Sequence, residues 1–212
     1  MAGRKLPSLK ALRDANVSRP DQIEGIWQPL YDYQTYALAG TTQQYTYFAL
    51  QVGQSSKTKE DTNIEVGGSL PAGKSFLAEA IEVVMLPSIA VSAQGAQAVD
   101  AFLNDVKTLG QAGFLEFFVS SKTYLTDGPI GVFTQQFGLT GFASASDTST
   151  AGAALQHRSA YAAWRGARYD ITPIRLKANM NFNVTLNFPT TTSISANMRL
   201  GVRLQGHMYR EG

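Results

Sequence analysis

Hydrophobic and polar positions alternate most regularly in the C-terminal third of the chain. Phe182, Val184, Leu186 and Phe188 alternate with Asn181, Asn183, Thr185 and Asn187. Met198, Leu200, Val202 and Leu204 then alternate with Arg199, Gly201, Arg203 and Gln205. A period of two predicts half-buried strands, each with one wet face. Pro189-Thr190-Thr191-Thr192 reads as the turn between them, so the two segments are expected to pair antiparallel.

Residues 97–109 follow the other period. Val99, Phe102, Leu103, Val106 and Leu109 fall on one stripe of a helix, ended by Gly110 and Gly113. Residues 76–86 fit both templates. Leu77, Ile81, Val83 and Met85 share one parity with Glu79 intruding, while Leu77, Ile81 and Val84 suit a helix. Val83-Val84 and the stop at Pro87 favour a strand.

Elsewhere, 43–52, 114–119, Tyr124-Leu125 and 131–139 read as strand material, with Asp127-Gly128-Pro129 as a turn. Residues 25–42, holding Trp27, Tyr31, Tyr33 and Tyr36, read as a non-periodic extended segment. Residues 53–61 read as a polar loop, 143–154 as a low-complexity loop of small residues, and 157–168 as a short helix or irregular chain.

Composition sharpens this picture. Of 212 residues, 44% are hydrophobic but only 16% charged, against about 25% in ordinary soluble domains. Such a surface suits a chain whose flanks are covered by neighbours. The whole-chain charge is +2. Residues 1–20 hold five cations (Arg4, Lys5, Lys10, Arg13, Arg19) against Asp14, a net of +4, which leaves −2 for the rest. A basic arm over 1–24, with Arg4, Lys5, Lys10 and Arg13 as its candidate contacts, on a near-neutral body over 25–212 points to a polyanion as partner. The competing reading is a solvated terminus. No apolar stretch comes after these cations, so no signal peptide is expected, and no run approaches 18 apolar residues.

Candidate chemistry is sparse. The chain has no cysteine, which removes disulfides and thiolate chemistry. His157 and His207 stand apart, with no acidic cluster at ligand spacing, so no metal site is expected. The carboxylate pairs Glu60-Asp61 and Glu79/Glu82 read as solvated or edge positions. Arg199 and Arg203 share one strand face. They are read as partners of the acids within 60–82, with a basic surface facing genome or lipid as the sharper alternative.

Gly68-x-x-x-x-Gly73-Lys74-Ser75 satisfies the P-loop pattern. That motif needs a buried strand before it and a helix after it. Here Thr62–Val66 carries Asn63 and Glu65, and the segment beyond Ser75 is only ambiguously helical. The letters are expected to be a Gly/Pro-rich turn feeding a strand.

The run Asp61-Thr62-Asn63-x-x-x-Gly67-Gly68-x-Leu70-Pro71-Ala72-Gly73-x-Ser75-Phe76, with Ala80-Ile81 beyond it, resembles a segment of β-barrel coat proteins of tailless icosahedral bacterial viruses. The stretch from Met180 to Leu186, and that from Arg199 to Gly206, are similar to the last two strands of such barrels. The resemblance covers about a third of the chain. It implies an all-β fold, a single jelly-roll β-sandwich of two facing antiparallel sheets, here with one inserted helix and an N-terminal arm. It also gives Gly67, Gly68, Pro71 and Gly73 the role of a structural turn and sends Phe76 into the core.

The function the resemblance implies is a non-enzymatic one: a capsid subunit that self-assembles into a shell, without cofactors, alongside other virion proteins, its N-terminal arm reaching genome nucleic acid, an internal membrane or a neighbouring subunit. It would be assembled in the host cytoplasm and end in the virion. The alternatives are a carbohydrate- or receptor-binding β-sandwich of a spike or tail, using Trp27, Trp164 and the tyrosines, and a P-loop NTPase.

Overall fold

The structure, a computed structural model, describes residues 23–40, 44–87, 96–134, 142–147, 155–160 and 168–211. Two long strands organise it: β4 (Lys74–Pro87) and β11 (Met198–Glu211), paired antiparallel along nearly their whole length. On the far side of β11 lie β1 (Ile23–Trp27) and β2 (Leu30–Tyr36), end to end. Gln28-Pro29 separates them, so they share one position in the sheet. β9 (Tyr169–Leu176) pairs with the other edge of β4. The second sheet runs β3 (Gln44–Tyr47), β10 (Phe182–Asn187), β5 (Phe114–Val119), β6 (Lys122–Asp127).

Counted as eight positions in chain order, with β1 and β2 as the first, the sheets read 1-8-3-6 and 2-7-4-5. Neighbouring positions are consecutive in sequence only at the fourth and fifth, and every pairing is antiparallel. This is the strand order of a jelly roll. Two insertions decorate it. Helix α1 (Ala96–Gln111) lies between β4 and β5, and the hairpin of β7 (Phe142–Asp147) with β8 (Leu155–Ala160) lies between β6 and β9.

The sheets close on a dry core. Tyr36, Phe76, Ile81, Val83, Met85, Leu200 and Val202 from the first sheet face Tyr47, Leu115, Phe117, Phe182, Val184 and Leu186 from the second, all essentially inaccessible. Each such side chain stabilises the fold by about 1.5–3 kcal/mol. Val106 and Leu109 join α1 to this core. Asp105 fixes the helix further, its carboxylate accepting from the Ser195 N–H (2.9 Å) and the Ser195 hydroxyl.

Several expectations are corrected. The alternating segments 182–188 and 198–204 are strands, but they belong to opposite sheets and do not pair with each other. Both bury one face in the same core, and parity carries no information about the partner. The parity of β4 changes midway. Glu79 is an extra residue opposite Gln205/Gly206, so Phe76 and Ala78 face inward before the bulge and Ile81, Val83 and Met85 after it. Leu77, grouped by parity with Ile81, Val83 and Met85 in the sequence, falls on the outer face.

The strand expected over 43–52 stops at Tyr47, because Phe48 turns into the left-handed region (φ 68°). A 3-10 turn, Ile130–Phe133, occupies the start of the 131–139 segment, and 135–139 lie outside the described residues. β7 takes the first part of the expected loop 143–154, and β8 the first part of 157–168; 148–154 and 161–167 lie outside the described residues. β1 begins at Ile23, within the expected arm, and Arg4, Lys5, Lys10 and Arg13 lie outside the described residues.

The glycine-rich stretch is a turn stitched between the sheets. Gly68 donates to the Phe48 carbonyl and accepts from the Phe182 N–H, both at 2.8 Å, and Asn179 N–H reaches the Leu70 carbonyl at 3.0 Å. Gly68 (φ +73°) and Gly73 (φ +74°) occupy backbone conformations that favour glycine. Leu70 is buried between them, Pro71 is half-buried, and a Cβ on Gly67 would stand 2.6 Å from the Ala49 carbonyl oxygen.

Candidate binding cleft on the outer face of the first sheet

The register of β2 on β11 sets Tyr31 opposite Arg203, Tyr33 opposite Gly201 and Thr35 opposite Arg199, all on the outer face. Gly201 leaves room for the Tyr33 ring to lie down over the sheet. The Arg199 guanidinium sits 4.8 Å from the centre of that ring, within cation–π range. Arg199 also donates to Asp61 Oδ1 (2.8 Å) and to the Glu60 carbonyl. Arg203 pairs with Glu82 at 3.7 Å. Both arginines therefore meet acids within 60–82, as the sequence reading favoured. Burial pushes the Tyr33 phenol up, assisted by Glu82 and Tyr31 and opposed by Arg203 and Arg199.

The polar loop 53–61 folds over this platform and is held firmly. Tyr33 N–H donates to the Asp61 carbonyl (2.8 Å), and the Tyr31 hydroxyl to the Lys59 carbonyl (2.5 Å). At its tip, Lys57 N–H bonds the Gln54 carbonyl (3.0 Å) across Ser55 and Ser56, both left-handed at φ 50° and 63°. Two residues at positive φ make this a type I′ turn, whose preferred residues are Asn-Gly. The Asp61 carboxyl is held below the usual range, chiefly by the Thr58 N–H, then by the Thr58 hydroxyl and Arg199.

Lys57 roots the loop in the protein. Its ammonium meets the Asp32 carboxylate and donates to the Tyr33 carbonyl at 2.9 Å. Asp32 is only 1% exposed, on the inner face of β2, and accepts from the Phe48 N–H at 2.6 Å. Burial pushes its carboxyl up, against the lowering effect of Lys57 and Phe48. Between loop and sheet lies a cleft of about 620 Å³ whose walls include Tyr33, Ser55, Ser56, Asp61, Asn197 and Arg199.

A second cluster surrounds the bulge. His207 Nδ1 lies 3.2 Å from Glu79 Oε1, its ring edge-on to Trp27 (5.0 Å between centres) and stacked near Tyr209 (6.4 Å). Trp27 is 40% exposed, while Trp164 lies outside the described residues. Glu79 and Glu82 are thus engaged by His207 and by Arg203 with Gln205, not by each other. Among the described residues no three His, Asp or Glu side chains converge as metal ligands.

The P-loop letters do not build a phosphate cradle at a helix N-terminus. Lys74 and Ser75 open strand β4, and the Lys74 ammonium is chelated by both Glu65 oxygens at 2.7 and 2.6 Å. Sequence reasoning named Tyr33 only among the tyrosines of a possible sugar-binding surface, and missed Asp32 and Lys57. A glycine inside a regular strand, Gly201, was the available signal, because it marks a close approach. No protein-family model matches the sequence, and no curated protein matches it.

Proposed function

We propose that this chain is a coat subunit that self-assembles into the icosahedral shell of a tailless bacterial virus. The observation that carries the reading is the 1-8-3-6/2-7-4-5 strand order, one of the architectures used by viral capsid domains. Jelly rolls also host other functions, so strand order alone does not assign one. The resemblance adds weight because its segments fall at the centre of the fold. The 61–76 turn feeds β4, and β10 and β11 are interior strands of the two sheets.

In this reading the sheet edges limit how copies meet. β1 and β2 are interrupted by Gln28-Pro29, β9 carries Pro173 and a register shift, and β3 is four residues long. β6 bulges at Tyr124, which stands 53% exposed. Such edges resist strand-to-strand addition. Contacts between subunits therefore run through side chains and loops, with a charge-poor surface that is inexpensive to desolvate. The basic segment 1–22 then reaches a polyanion, the genome or an internal membrane, or a neighbouring virion protein. Electron microscopy of the purified protein tests the reading. Closed isometric particles are expected, and a field of isolated subunits at millimolar concentration overturns it.

A further inference from the structure

We infer that the cleft between loop 53–61 and the outer face of the first sheet is a binding site for a neutral oligosaccharide. The site has the size of a small-molecule pocket, about 620 Å³. Its charges are already matched, Arg199 by Asp61 and Lys57 by Asp32. An anionic ligand would displace a pairing partner, and a cation would find no free carboxylate. An apolar ligand would strand the polar walls without partners.

What the cleft offers is a set of hydrogen-bonding groups at fixed positions. Ser55 and Ser56 line it, and neither side chain is hydrogen-bonded among the described residues. Asn197 spends its amide oxygen on the Leu38 N–H (3.0 Å), which leaves its NH₂ group to donate. The Asp61–Arg199 pair presents an acceptor beside a donor fork, suited to adjacent sugar hydroxyls. The stacked Tyr33–Arg199 pair forms an apolar-edged floor.

The serines supply an independent observation. Left-handed backbone at two consecutive non-glycine residues is costly, and strain of this kind clusters at ligand sites. Asn-Gly would form the same turn with less strain. Serine at both positions keeps two hydroxyls on the wall at the expense of backbone comfort. The loop beneath is pinned to Tyr31, Tyr33 and Asp32, so the groups need little ordering on binding.

The test is saturation-transfer NMR and titration calorimetry with maltotriose, cellotriose, lactose, mannobiose and diacetylchitobiose. It uses the full chain in whatever oligomeric state it adopts, so the result is separable from the coat reading. At least one neutral sugar is expected to bind. Ser55→Asn/Ser56→Gly is expected to raise Tm while weakening that sugar at least about tenfold, the loss of roughly one hydrogen bond. No binding by any of these sugars, or binding unchanged in the double variant, would each overturn the inference.

Discussion

Gly201 lies directly beneath the ring of Tyr33, so closely that a Cβ at 201 would stand 2.1 Å from Tyr33 Cδ1. The glycine is thus the reason the outer face of a central strand can hold a flat aromatic ring with Arg199 upon it. Gly201→Ala should lift the ring and cost about 1–3 kcal/mol in denaturant unfolding, the range for overpacking. Gly206→Ala should cost more, because its Cβ would meet the backbone carbonyl of Leu77 at 1.8 Å, which cannot swing aside. The reverse ranking would contradict this packing.

Lys57 and Asp32 are 9% and 1% exposed, a buried pair joining the loop to β2. Lys57→Met strands a carboxylate in the core and should cost about 3–5 kcal/mol. Adding Asp32→Asn should recover much of the loss, since the Phe48 N–H keeps an acceptor. A double variant no more stable than Lys57→Met would contradict the pairing.

The Asp61 carboxyl is held below its usual range, so its contribution is present above the unfolded pKa and is lost as pH falls through the folded one. Asp32 acts in the opposite sense. Burial raises its folded pKa, so its contribution is present at low pH and is lost as pH rises through that value. A whole-protein acid titration mixes the two. The stability difference between the protein and Asp61→Asn isolates one of them. It should be constant above about pH 5 and shrink as pH falls through the carboxyl range, and a difference that grows toward acid would contradict the bonding of Asp61.

Sequence pattern revealed individual elements better than their partners. The stripe from Val99 to Leu109 is α1, and the C-terminal alternations are β10 and β11. Their assignment to opposite sheets was hidden, because each only reports that one face is dry. β2 escaped because its pattern is disguised: Asp32 points into the core and Tyr31 and Tyr33 point out, the reverse of what polarity alone implies. In β4 the bulge at Glu79 exchanges the faces, so a single parity could not fit. The cleft was hidden for a different reason. It joins Ser55 and Asp61 to Asn197 and Arg199, and only the register of β2 on β11 brings these together.

Lys74→Ala separates the two readings of the glycine-rich turn. The Lys74–Glu65 pair is partly exposed, 22% and 57%, so its loss should cost no more than about 1 kcal/mol. Assembly should persist, and calorimetry with magnesium and ATP should register no nucleotide binding before or after the change. Nucleotide binding that Lys74→Ala abolishes would restore the P-loop reading.

Self-association is read from the mass distribution of the purified full chain by light scattering, across concentration and salt. Trimers, pentamers or shell-sized particles that grow with concentration are predicted. A monomer under every condition would rule out a shell-forming subunit.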